Sequence, residues 1–184
     1  MGESGGQPRN VSSPDIFTEN FSAGVDYLGT LNYIDREKIG AIGICGSGGF
    51  ALSAAQADKR IKAVATASMY DISRGDRYGF GDTVDATQFQ QVLDQLAEQR
   101  WKDVDNGYPE YNPSFPKEAT ETVPEGLDPI SNEFYRYYGT PRGHHPNALG
   151  NFTTTSRIAM SNFSLLDHID TISPRPILFI MGEN

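Results

Sequence analysis

Apolar and polar positions along this chain change rhythm several times, and each change marks an element. After Ser13-Pro14-Asp15, the residues Ile16, Phe17, Phe21, Val25, Tyr27 and Leu28 fall on one stripe of a 3.6-residue period. A proline at the first helical position and an acidic first turn suit a helix start. The spacing therefore predicts an amphipathic helix over 15–30. Asp35 to Lys38 make a polar turn. Lys38 to Ile44 is short, apolar and rich in small residues, the pattern of a strand covered on both faces. An alanine-rich helix pattern runs from Gly48 to Ala57 and stops at Asp58-Lys59-Arg60. Ile61 to Ala67 is a second buried strand. Strand, helix and strand at this spacing predict a βαβ unit with parallel strands and a right-handed crossover.

From Ser68 to about Ala148 the rhythm is lost. One helix stands out over 85–100, with Phe89, Val92, Leu93 and Leu96 on one face. Around it lie Pro, Gly and Tyr, as in Tyr108-Pro109-Glu110-Tyr111-Asn112-Pro113. About 80 residues without a strand is too long for a simple connection, so this stretch is expected to be a helical insertion, a cap or lid. A further helix is expected over 153–163. The last strand is Ile177 to Met181, after Ser173-Pro174-Arg175-Pro176. The resulting organisation is a parallel α/β core over 1–79, a helical cap over 80–150 and a return to the core over 151–184.

Composition narrows the setting. Of 184 residues, 38% are hydrophobic, below the usual share for a compact domain. Either solvated loops dilute the core or part of it is missing. A net charge of -9 repels phosphate backbones and speaks against nucleic-acid binding. No apolar run approaches the roughly 18–20 residues that span a bilayer. Met1-Gly2-Glu3-Ser4-Gly5-Gly6-Gln7-Pro8 lacks the basic and apolar regions of a signal peptide. A single cysteine allows no internal disulfide. The expected setting is cytoplasmic, where that thiol stays reduced.

The cysteine stands where strand gives way to helix, in Gly43-Ile44-Cys45-Gly46-Ser47-Gly48-Gly49. A nucleophile elbow holds its side chain on a strained turn, so its neighbours must be small. With Cys45 as nucleophile, Gly43, Ser47 and Gly48 meet that demand. The Gly46 N–H would open the helix, where it can donate to an oxyanion. The helix dipole would favour a thiolate at Cys45. Ser47 is the rival nucleophile, but its register would carry the strand through Gly46, whereas the apolar run ends at Ile44. The bland alternative is a buried, inert cysteine in a packing turn. A phosphate-binding loop fits poorly: G-x-G-x-x-G is absent, and no Gly-Lys-Ser/Thr closes a P-loop. No cofactor is expected.

These residues resemble the elbow of dienelactone-hydrolase-like α/β-hydrolases, a group that uses cysteine where most α/β-hydrolases use serine. Gly2-Glu3-Ser4-Gly5-Gly6 looks like a loop after an earlier strand. Ala63 to Asp71 and Ser173 to Glu183 look like the next two core strands with their exits. The resemblance implies a small-molecule ester, lactone or thioester as substrate, or acyl transfer on the same fold. It also implies earlier strands supplying a second oxyanion donor, and a catalytic histidine after a later strand. The chain is therefore expected to be the central part of a larger hydrolase, with impaired activity on its own.

None of His144, His145 and His168 occupies the place the resemblance assigns to the base. Adjacent His144 and His145 diverge too much to share one metal ion, and a solvated or locally hydrogen-bonded pair is expected. His168 is expected at the opposite sheet end from Cys45. Asp71, after the second strand, is the candidate acid, with Glu183 second; either also reads as a loop carboxylate or helix cap. Tyr70, Tyr78, Phe80, Tyr135, Tyr137 and Tyr138 either line an acyl pocket or simply pack. The competing class is a non-catalytic hydrolase-fold module, or a homo-oligomer that covers exposed sheet edges.

Overall fold

The computed structural model of the chain describes residues 5–183. In chain order the elements are helix α1 (Pro14–Thr30), strand β1 (Gly40–Ile44), helix α2 (Gly46–Ala57), strand β2 (Ala63–Ala67), helices α3 (Ile72–Tyr78) and α4 (Ala86–Asn106), strand β3 (Tyr111–Asn112), helix α5 (Pro129–Tyr138), strand β4 (Phe152–Thr153), helix α6 (Ser156–Ser161) and strand β5 (Ile177–Ile180). Short 3-10 turns occupy Arg36–Lys38 and Ile169–Ile172. Two compact units result. One holds Ser13–Asp94 and the described part of Arg157–Asn184; the other holds Gln95–Ser156 and the described part of Met1–Ser12.

The first unit carries a parallel sheet in the order β1-β2-β5. The expected βαβ unit is β1, α2 and β2, with Gly40 opposite Ala63 and Ile44 opposite Ala67. Side chains alternate across the sheet. Ala41 and Val64 pack into the cluster that includes Val25, Ile39, Leu52, Ala55, Ile61 and Ile172. On the other face, Ile42, Ile44, Leu178 and Ile180 are 72%, 65%, 57% and 54% exposed. The strands read from sequence as covered on both faces are thus covered on one among the described residues.

α2 is the most enclosed element, with Phe50, Ala51, Leu52, Ala54 and Ala55 buried. α1 begins as the sequence predicts: the Ser13 hydroxyl accepts from the Ile16 N–H at 3.3 Å, and Pro14 opens the first turn. Phe17 meets Phe50 edge-on at 5.2 Å, next to buried Met160 and Leu165. At the far end of α2, the Arg175 guanidinium donates to the carbonyls of Ala55, Asp58, Ile61 and Ile172. Arg175 thus serves one carbonyl of the last turn of α2 and the cap carbonyl after it, and the Thr171 hydroxyl serves another, that of Gln56.

In the second unit, β3 and β4 pair antiparallel, Tyr111 opposite Thr153. α5 starts at Asp128, whose carboxylate accepts from the N–H groups of Ile130 and Ser131. Phe115 packs against Tyr138 and Tyr135, with ring centroids 5.1 and 6.4 Å apart. A cavity of about 480 Å³ opens between Phe115, Tyr138, Leu149 and Phe152.

Three expectations change. The stretch 68–148 contains a strand, β3, of two residues, too short to show a period. The helix expected over 153–163 is reduced to Ser156–Ser161. Thr153 is extended instead, its N–H donating to the Asn10 carbonyl and its hydroxyl sharing a hydrogen bond with Ser156 at 2.6 Å. The helix expected over 85–100 continues to Asn106. Residues 2–4 of the loop expected over Gly2 to Gly6 lie outside the described residues.

Candidate active site

β1 stops at Ile44 and α2 begins at Gly46, so Cys45 alone makes the turn. Its backbone lies at φ 59° and ψ -135°, a region that costs an L-residue about 1–3 kcal/mol. Two hydrogen bonds hold it there. The Cys45 N–H donates to the Ala67 carbonyl at the end of β2, and the Cys45 carbonyl accepts from the Gly48 N–H, both at 2.9 Å. Cys45 is free and partly accessible. Ser47 lies within the first turn of α2.

The glycines around Cys45 have packing reasons. A Cβ on Gly43 would stand 2.5 Å from the Gly48 Cα and the Ser47 carbonyl oxygen. One on Gly48 would stand 2.5 Å from the Met69 Cβ, and one on Gly49 would overlap Leu165. β1 can approach α2 this closely only because Gly43 carries no side chain, while Gly48 and Gly49 leave room for Met69 and Leu165. Gly46, the first residue of α2, has an N–H with no intrahelical acceptor, at the positive end of the helix dipole.

Beyond the elbow, Tyr70 follows β2. A Cβ on Gly46 would be 3.5 Å from the Tyr70 hydroxyl oxygen and from the Ile72 Cδ1. Burial pushes the Tyr70 phenol above its ordinary range, and negative charge at Cys45 and Asp76 acts in the same direction. Asp76, on α3, is likewise raised by burial, with Arg157 pulling it back. Sequence reasoning passed over Asp76, since nothing in its spacing separates it from a solvated helix residue. Tyr70 was noted only as one of several aromatics.

The other candidates have defined places. The Asp71 carboxylate accepts from the Arg74 N–H at 3.0 Å and caps α3. Glu183 is exposed past β5. His144 Nε2 lies 3.1 Å from the Pro116 carbonyl oxygen, and His145 Nδ1 accepts from the Asn147 N–H at 3.1 Å. This pair is locally hydrogen-bonded, as the sequence suggested. The His168 N–H donates to Gln56 Oε1. Gln56 is in the last turn of α2 while Cys45 precedes its first, so His168 sits at the opposite end of a helix about 18 Å long. Of the aromatics, Tyr70 packs on Phe80, and Tyr78 faces the guanidinium groups of Arg74 and Arg77. Tyr137 and Tyr138 pack on each other in the second unit. Among the described residues, no group of three or more His, Cys, Asp or Glu side chains is placed to hold a metal ion. Nor is any helix there long and apolar enough to cross a membrane.

No family model matches the chain. The uncharacterized protein PA2218 of Pseudomonas aeruginosa is 49% identical over 185 residues, covering 99% of this chain and 48% of that protein. The uncharacterized protein YcjY of Escherichia coli is 33% identical over 183 residues, covering 100% of this chain and 58% of that protein. The chain thus spans about half the length of the curated relatives it matches. The crystal structure of the Pseudomonas protein superimposes with a TM-score of 0.90 at 47% identity, over 100% of this chain and 57% of that one. DcsB, solved in complex with its substrate analogue, gives a TM-score of 0.77 at 20% identity over 100% of this chain and 59% of its own. The α/β-hydrolase GrgF from a Penicillium species gives 0.71 at 21% identity over 100% of this chain and 58% of its own. The fold, a parallel sheet with helices, is that of the α/β-hydrolases.

Proposed function

We propose that the chain carries the nucleophile of a dienelactone-hydrolase-like enzyme, with Cys45 attacking the carbonyl carbon of an ester, lactone or thioester. The observation that carries this reading is the backbone of Cys45: a non-glycine residue at φ 59° between a parallel strand and an α-helix. Such strain persists where surrounding packing holds it, and it clusters at reacting groups. The thiolate would form the S–C bond while the carbonyl π pair moves onto oxygen, and the Gly46 N–H would stabilise that oxyanion. Collapse would expel the alcohol or thiol, and water would release the acid. The base is a histidine not identified among the described residues. Asp71 remains the candidate acid. Residues 80–150 keep the role of an insertion in the core, and the setting remains cytoplasmic with no nucleic-acid partner.

A second reading has its own support. The bare face with Ile42, Ile44, Leu178 and Ile180 suits a non-catalytic interaction module or a homo-oligomer that covers the sheet. Acyl transfer to an acceptor other than water is the variant closest to the main reading. The first test is turnover of an aryl ester by the wild-type chain, with Cys45→Ala as control. The nucleophile reading expects turnover that disappears with Cys45. Equal turnover by the two chains would overturn it.

A further inference from the structure

Tyr70 brings a phenol to the elbow and leaves it unspent. Its hydroxyl oxygen lies 3.5 Å, and its Cζ 3.8 Å, from where a Gly46 Cβ would stand. The hydroxyl therefore lies on the side-chain side of Gly46, the first residue of α2 and the one that follows Cys45. The ring is partly buried and rests against Phe80, with centroids 5.6 Å apart and planes inclined by 55°. Tyrosine hydroxyls usually find a partner when buried. The Tyr70 hydroxyl makes no hydrogen bond among the described residues. Since burial raises the phenol above its ordinary range, it stays an O–H donor at neutral pH.

We infer that the Tyr70 hydroxyl is an additional, side-chain donor of the oxyanion hole, donating to the substrate carbonyl oxygen alongside the Gly46 N–H. The inference rests on Cys45 being the nucleophile. In the step concerned, the thiolate forms the S–C bond and the carbonyl π pair moves to oxygen. That oxygen accepts one hydrogen bond from Gly46 and one from Tyr70, which keeps its proton. When the carbonyl re-forms, the bond to the leaving oxygen or sulfur breaks, and the electron pair departs with the leaving group. Tyr70 thus defines the ligand class further: the hole takes a carbonyl oxygen that gains charge, with the phenol as a neutral donor.

Two reagents separate this role from the others. Acylation of Cys45 by p-nitrophenyl acetate passes through an oxyanion; alkylation by iodoacetamide displaces iodide and does not. Tyr70→Phe removes one oxygen atom and keeps the ring. It is expected to slow single-turnover acylation about 100-fold, the scale of losing one such donor, while alkylation changes less than about twofold on the same scale. Equal losses with both reagents would mean that Tyr70 acts on the thiol or the fold, and would overturn the inference. So would unchanged acylation. A wild-type chain that alkylates at Cys45 but acylates no faster than Cys45→Ala would remove the nucleophile reading, and this inference with it. A urea midpoint of Tyr70→Phe matched to wild type secures the comparison.

Discussion

At Gly43, the contact with the first turn of α2 is one of backbone with backbone. An added methyl there has only the Gly48 Cα and the Ser47 carbonyl to push against, and neither can rotate away. Gly43→Ala is therefore expected to cost about 1–3 kcal/mol, the usual range for overpacking, read as a lower urea midpoint. A neighbouring position points the other way. Thr66 is 1% exposed on the α2 side of β2, and its hydroxyl has no hydrogen-bond partner among the described residues. Valine keeps the shape and removes the orphaned polar atom. Thr66→Val is expected to raise stability by about 1 kcal/mol, and an unchanged or lower midpoint would contradict this. Because Thr66 lies on the side away from the bare sheet face, the gain belongs to the core and should leave Cys45 alkylation unaltered.

α3 hangs on Asp71, and that gives a clean way to separate two roles. Asparagine caps a helix as well as aspartate does, whereas alanine loses about 1 kcal/mol. If Asp71 is a cap only, Asp71→Asn keeps both stability and Cys45-dependent ester turnover; if it is the acid, turnover falls while stability holds. At the other end of α2, Asp58 accepts from the Arg60 guanidinium at 2.7–2.9 Å and from its backbone N–H at 3.0 Å. The Arg60 side chain, ahead of the opposing effect of burial, lowers the Asp58 pKa from 3.8 to about 2. A depressed carboxylate pKa stabilises the fold above the unfolded value and stops doing so as pH falls. The difference in thermal midpoint between wild type and Asp58→Asn should thus be full above about pH 4 and fade toward pH 2. The elements that sequence could show are those with a long period or a sharp boundary: α1, β1, α2, β2, α4 and β5, and with them the elbow. α3 has seven residues and α5 ten, and their main signals are the capping carboxylates of Asp71 and Asp128. The β3–β4 ladder has two residues on each side, and its partners are about 40 positions apart. The place of Tyr70 over Gly46 depends on how the exit of β2 bends back to α2, which periodicity does not encode.

At the scale of the whole chain, the sheet is the feature with the widest reach. Ile42, Ile44, Leu178 and Ile180 form one exposed apolar face of the sheet. Sheet faces and open edges of this kind drive association in water. The chain by itself is expected to sediment as a concentration-dependent oligomer, and Ile42→Lys with Leu178→Lys should shift it toward monomer. Monomeric wild type at tens of micromolar, an ordinary working range for such measurements, would contradict the oligomer reading. The Arg175 staple has a consequence of another sort. Its guanidinium reaches Ala55 across 120 positions of sequence. On a ribosome adding about 5–20 residues per second, α2 can coil long before Arg175 emerges, but the Ala55 carbonyl lacks its guanidinium partner until then. The C-terminal end of α2 is thus completed by a residue 120 positions later, which makes that end of the helix, opposite the Cys45 turn, a late-maturing part of the nascent chain.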